Sequence, residues 1–177
     1  MGPRPPEGYR PPPTLICTPP HYRRPHPFDP RASVFLGGSI EMGSAADWQS
    51  LVISALNGPA SVLYNPRRAD WDSTWAQTPD NPDFTAQIHW EMDRINDASF
   101  VLLHFEPDTK SPITLGELYW CLARKPQHTI VSCPDGFWRR GNVQIMCERE
   151  NVLCHDSLDE AVADLMRRLL DYACEDF

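Results

Sequence analysis

Residues 99–105, Ser-Phe-Val-Leu-Leu-His-Phe, form an apolar run rich in strand formers. A run of this kind suits a parallel strand buried on both faces, with helices above and below the sheet. Residues 106–112, Glu-Pro-Asp-Thr-Lys-Ser-Pro, then break regular structure. Ile113 to Arg124 reads as a helix with Glu117 in its first turns and a basic finish. A strand, a polar break and a helix opening with an acid describe the carboxyl edge of an open α/β sheet, where ligands bind. Glu117 is therefore the candidate catalytic residue.

The rest of the chain repeats this alternation. Strands are expected at Ser33–Leu36, Ala60–Tyr64, Thr129–Ser132 and Asn151–Cys154. Between them lie helical stretches at Ala45–Leu56 and Phe84–Asn96, a short helix and loop within Phe137–Arg149, and a closing helix from Leu158 to Tyr172 capped by Asp156 or Ser157. The spacing predicts Trp48, Leu51, Val52 and Ala55 on the buried face of the first helix. Phe84, Ile88, Ile95 and either Glu91 or Met92 mark the second, and Leu158, Ala161, Leu165 and Leu169 the last. The expected fold is an α/β domain over residues 31–177 with a five-stranded parallel sheet covered on both faces.

Ahead of it, residues 1–30 carry many of the 19 prolines. Proline removes backbone donors and restricts its predecessor, so this segment reads as a polyproline arm. Within it, only Thr14–Thr18 has the composition of an edge strand.

At 177 residues the chain can bury about two-thirds of its surface in one core. A net charge of -8 argues against a surface for duplex nucleic acid, but leaves room for a small nucleotide held by local donors. The six cysteines include no CxxC pair and suit free thiols in a cytoplasmic protein. The N-terminus has no apolar signal region, and no run has the length of a membrane span. No residue cluster calls for a metal or cofactor: zinc spacing, a Walker lysine and the full dinucleotide fingerprint are all missing. Ser39 and Ser132 lack the context of a hydrolase elbow.

Around Glu117, three segments supply candidate site residues. Gly37, Gly38 and Ser39 follow the first strand, where glycines permit a tight turn and close approach of a ligand, including a 5′-phosphate. The long loop from Asn65 to Asp83 holds Trp71 and Trp75, whose faces can either carry a planar base or pin the loop to the core. Beside them stand Arg67, Arg68, Asp70 and Asp72.

Glu117 itself has two readings. It can serve only its helix, where the macrodipole keeps it ionised, or it can attack an anomeric carbon with oxocarbenium character. A second acid must then manage the leaving group's proton, and Glu91, Asp70, Asp72, Glu106 and Asp108 are the candidates, Glu91 first. Tyr64 and Tyr119 can orient a carboxylate, touch a sugar or simply pack.

Four segments, Val34–Ile40, Tyr64–Arg68, Glu91–Ile95 and Ser111–Leu118, resemble in their order the nucleoside 2-deoxyribosyltransferase superfamily. The likeness implies a flavodoxin-like three-layer sandwich with strand order 2-1-3-4-5. It also implies cleavage of the N-glycosidic bond of a nucleoside or nucleotide. Glu117 falls on the family nucleophile, which passes 2-deoxyribose to another free nucleobase through a glycosyl ester. Glu91 falls where relatives often carry an aspartate touching sugar or base. Ser111 replaces an aspartate found six positions before the nucleophile, which leaves base activation to Asp108 or Asp72. Asn65 and the loop after it line the expected pocket, and relatives assemble as homo-oligomers. The alternatives on the same scaffold are an N-glycoside hydrolase and a nucleotide-binding or interaction module without turnover.

Overall fold

A computed structural model describes residues 6–40, 45–68, 70–72 and 74–175. Its strands are β1 (Leu15–Cys17), β2 (Ser33–Gly38), β3 (Val62–Tyr64), β4 (Phe100–His104), β5 (Thr129–Ser132) and β6 (Cys154–His155). The helices are α1 (Trp48–Leu56), α2 (Pro82–Asp97), α3 (Pro112–Arg124), α4 (Arg140–Arg149) and α5 (Leu158–Glu175). All strands are parallel, in the order β1-β3-β2-β4-β5-β6.

The expected order 2-1-3-4-5 is present in the last five strands. The sheet nonetheless has six strands instead of five, because Leu15–Cys17 pairs with Val62–Tyr64 as an edge strand. The proline-rich segment around β1 is fastened to the domain at several points. Arg31 bonds the carbonyls of Pro12 and Gly58, and the Trp90 indole donates to the His21 carbonyl at 2.7 Å. Arg94 stacks 3.5 Å from the Tyr22 ring while pairing with Asp97, which also receives the Tyr22 hydroxyl.

Successive residues of a strand point to opposite faces, and the two cores follow that rule. Val34, Leu36, Leu63, Phe100, Leu102 and Ile130 face α1 and α5. Phe35, Tyr64, Val101, Leu103, Phe105 and Val131 face α2, α3 and α4. On α5, Ala161, Leu165 and Leu169 are buried as their spacing predicts.

On α1, Trp48 and Val52 are buried but Leu51 is exposed, as is Ala55, and Leu56 completes the face instead. The helix starts at Trp48 because the Asp47 carboxylate accepts from the Ser50 amide and so caps it. On α2, the buried residues are Gln87, Trp90, Arg94 and Ile95, while Met92 is exposed. The core stripe is thus turned from the predicted one, and two polar residues lie inside it.

Candidate active site

The strand order reverses between β2 and β4, and open α/β sheets bind ligands beyond the carboxyl ends of their strands at such a point. There Gly37 pairs with Leu103 and Gly38 with His104. Gly38 has φ of 152°, and a side chain on it would overlap the His104 carbonyl oxygen. A Cβ on Gly37 would sit 2.7 Å from Leu103 Cδ2. Both glycines are thus required by the close approach of two strands.

Ser39 is buried, and its amide donates to the His104 carbonyl at 3.0 Å. Its hydroxyl accepts from the Glu106 amide (2.9 Å) and bonds both Thr109 Oγ1 (2.8 Å) and Ser111 Oγ (2.5 Å). Thr109 and Ser111 are joined to each other at 2.8 Å. This triangle of hydroxyls ties the end of β2 to the loop that enters α3. Ser111 holds a left-handed backbone at φ 44°, a costly conformation for a residue with a side chain, and its hydroxyl does not cap α3. Its side chain is committed to the triangle, which fixes the start of the helix that carries Glu117.

His104 continues the network below. Its ring bonds Ser132 Oγ through Nδ1 (2.9 Å) and Glu106 Oε1 through Nε2 (3.1 Å). Burial pushes the imidazole pKa down, against the pull of Glu106.

Above this floor, α2 and α3 bring Glu91 and Glu117 together. Both are half-buried. Burial pushes the Glu117 carboxyl up to about 8, and the charge of nearby Glu91 adds to the shift. Burial likewise pushes Glu91 up to about 7, opposed by a hydrogen bond from Gln87 Nε2 at 2.7 Å. Neither glutamate forms an ion pair among the described residues.

The expectation that the helix dipole keeps Glu117 ionised is therefore overturned. Glu117 lies in the second turn of α3, where the dipole has faded, and desolvation with a like charge nearby outweighs it. Two acids this close titrate as a unit, so the steps near 7 and 8 belong to the pair. Between them one proton is shared, and the site holds an acid and a carboxylate at once.

The remaining candidates are dispersed. Asn65 is buried and accepts from the Arg67 amide, while the Arg67 guanidinium bonds the carbonyls of Ala45 and Ala46. Asp70 is exposed and gripped by Arg68 through two contacts of 2.7 Å, which hold its carboxyl down at about 2. Hydrogen bonds from Thr74 lower Asp72 as well. Both aspartates are held as carboxylates and have no proton to give a leaving base near neutrality.

Trp71 and Trp75 pack edge to face at 5.1 Å, with Arg68 over the Trp75 ring. Asp108 is exposed on its turn. Tyr64 is core, wedged against Trp90 and Tyr22, whereas Tyr119 is exposed.

With a parallel sheet, a switch point and an acid pair in place, the sequence was compared with known families. The profile of nucleoside 2-deoxyribosyltransferase-like proteins matches residues 31–137, more than half of the chain. The chain belongs to this family. No curated protein sequence matches it. Membership in the 2-deoxyribosyltransferase-like family supports an enzyme acting at a glycosidic bond, by transfer or by hydrolysis, on nucleoside substrates. No described helix is long and apolar enough to cross a membrane.

In this family member, sequence reasoning passed over Gln87, Thr109 and His104. Gln87 is buried and bridges the Pro66 carbonyl (3.0 Å) to Glu91, joining the loop after β3 to the acid pair. Its position four residues before Glu91, on the same helix face, was the available signal.

Proposed function

We propose that this protein cleaves the N-glycosidic bond of a nucleoside or nucleotide and passes the sugar, 2-deoxyribose, to another nucleobase. The observation that supports this most is the coupled pair of Glu91 and Glu117. In the singly protonated pair, Glu117 as carboxylate attacks C1′ while Glu91 as acid protonates the departing base. A bond forms between Glu117 and C1′ as the C1′–N bond breaks. The incoming base then attacks C1′, releases Glu117 and returns its proton to Glu91.

In the empty site the shared proton favours Glu117, which has the higher pKa of the two. Shifting it to Glu91 costs on the order of 1 kcal/mol, since one pKa unit corresponds to about 1.4 kcal/mol. Positive charge developing at C1′ beside Glu117 easily offsets that. The rate kcat/KM then follows a narrow bell between about 7 and 8, the two steps of the pair.

Ile113, Tyr119 and Trp120 on α3, with Met92 on α2, leave apolar surface exposed on the helices that carry the pair. A second copy of the chain covers this face in a homo-oligomer that closes the site against water. The substrates are free cytoplasmic metabolites, and no metal or cofactor takes part.

The deciding assay mixes the protein with deoxynucleosides or their 5′-monophosphates, with and without a free acceptor base. New nucleoside formed only with acceptor supports transfer. Base released without acceptor makes the protein a hydrolase, and neither product leaves a binding module.

A further inference from the structure

Three cysteines meet on the far side of the sheet's carboxyl half, away from the acid pair. Cys154 opens β6, Cys133 follows β5, and Cys147 lies in the last turn of α4. All three pack into the core beneath α3 and α4. The Cys154 thiol is hydrogen-bonded by both of the others. Cys133 and Cys147 are buried, but Cys154 is half-exposed and lines a surface pocket with Gln144, Ile145, Glu148 and Leu153.

We propose that Cys154 is a peroxide-reactive thiol whose oxidation is resolved by Cys147 as an intramolecular disulfide. The surroundings favour a thiolate at this one sulfur. Hydrogen bonds from Cys133 and Cys147 pull the Cys154 pKa down against its burial, with Arg140 helping and Asp156 opposing. Arg140 is held there by its bond to the Cys133 carbonyl (3.0 Å) and its ion pairs with Asp135 and Asp156. The other two thiols are shifted upward and stay protonated. A cluster of one accessible thiolate and two protonated neighbours has the parts of a thiol switch.

The electron balance is simple. The Cys154 thiolate attacks the nearer oxygen of a hydroperoxide, an S–O bond forms, and the O–O bond breaks. The peroxide leaves as an alcohol or water after taking a proton, and Cys154 is a sulfenic acid. The Cys147 thiol then attacks that sulfur, an S–S bond forms, and hydroxide departs with the thiol proton as water.

Geometry selects Cys147 over Cys133 as the partner. Val131 is opposite Cys154 in the sheet, so Cys133 stands two residues further along the neighbouring strand. With a rise of about 3.3 Å per residue and strands about 4.8 Å apart, their Cα atoms are about 8 Å apart. A disulfide does not span more than about 7 Å without backbone movement. Cys147 sits at a helix end that packs on β6, and no sheet register holds it at such a distance.

The test uses the full chain and hydrogen peroxide, with Cys174 as an internal control because it is exposed. After timed exposure, free thiols are alkylated and peptides mapped by mass spectrometry. Cys154 should be oxidised at least about tenfold faster than Cys174, as expected for a thiolate beside an ordinary thiol. The product should be a Cys147–Cys154 disulfide. In Cys147→Ser, Cys154 should instead persist as a sulfenic acid trapped by dimedone. Equal rates at Cys154 and Cys174, or a bridge from Cys154 to any other cysteine, would overturn the proposal. The mapping on the unmodified chain decides this even where the variant fails to fold.

Discussion

Asp70 and Glu117 present the same functional group in opposite electrostatic settings. Asp70 stands in solvent on the loop after β3, clasped by Arg68, and its carboxyl is held at about 2. Glu117 stands half-buried on α3 with another acid for a neighbour, and its carboxyl is pushed up to about 8. A cation and water make a permanent anion, whereas desolvation and a like charge make a group that exchanges its proton near neutral pH. The first arrangement can hold a loop or a ligand. Only the second can move a proton during a reaction.

Substitutions can break this contrast, and the largest effect belongs to the nucleophile. Glu117→Ala should lower the rate of glycosidic cleavage at least ~100-fold, because it removes a group that acts in the transition state. Single-turnover kinetics with retained folding by circular dichroism would show it. Glu91→Gln should cost on the order of 100-fold as well, the usual range for a lost general acid. It should also lower the apparent pKa of Glu117, since the charge that helps raise it is gone.

Stability should respond to pH in the opposite sense to that of a salt-bridged acid. Both glutamates have folded pKa values above the unfolded value of 4.5, so the folded chain binds more protons between there and about 8. Stability is full below about 4.5 and falls as pH rises through about 7 and 8, by a few kcal/mol at most. Thermal melts from pH 5 to 9 should show a declining midpoint, and Glu117→Gln should flatten that decline. A midpoint that rises over this range would contradict the pair.

A smaller shift is expected from Gln87→Leu. Losing the amide donor removes the one contact that favours ionised Glu91, so the acidic limb of the kcat/KM profile should move up by less than about one unit. The smallest effect belongs to Asp70→Asn, which should leave both limbs of that profile in place.

The strands were legible because runs such as Val101–Leu103 have no other stable arrangement than a covered parallel sheet, and Glu117 follows from its place beyond the central strand. The state of Glu117 was not legible. Position along a helix suggested an ionised acid, but its pKa is set by α2, which places Glu91 nearby through packing that no local pattern encodes. The α1 face was misread for a related reason: Leu51 and Leu56 are equally apolar, and only the fit against α5 and the sheet decides that Leu56 is buried. Ser39 and Ser111 stood out in the sequence, yet Thr109, which completes their triangle, became visible only when the loop closed on β2. The edge strand β1 was concealed by the prolines around it.

Carbon-13 NMR of the glutamate side-chain carboxyls, titrated from pH 4 to 10 in the unmodified chain and in Glu91→Gln, tests the shared proton directly. Two carboxyls should titrate near 7 and 8 in the unmodified chain. In the variant a single one should remain, at lower pH than 8. Glutamates that all titrate between about 4 and 5, the range of solvated carboxyls, would contradict the account.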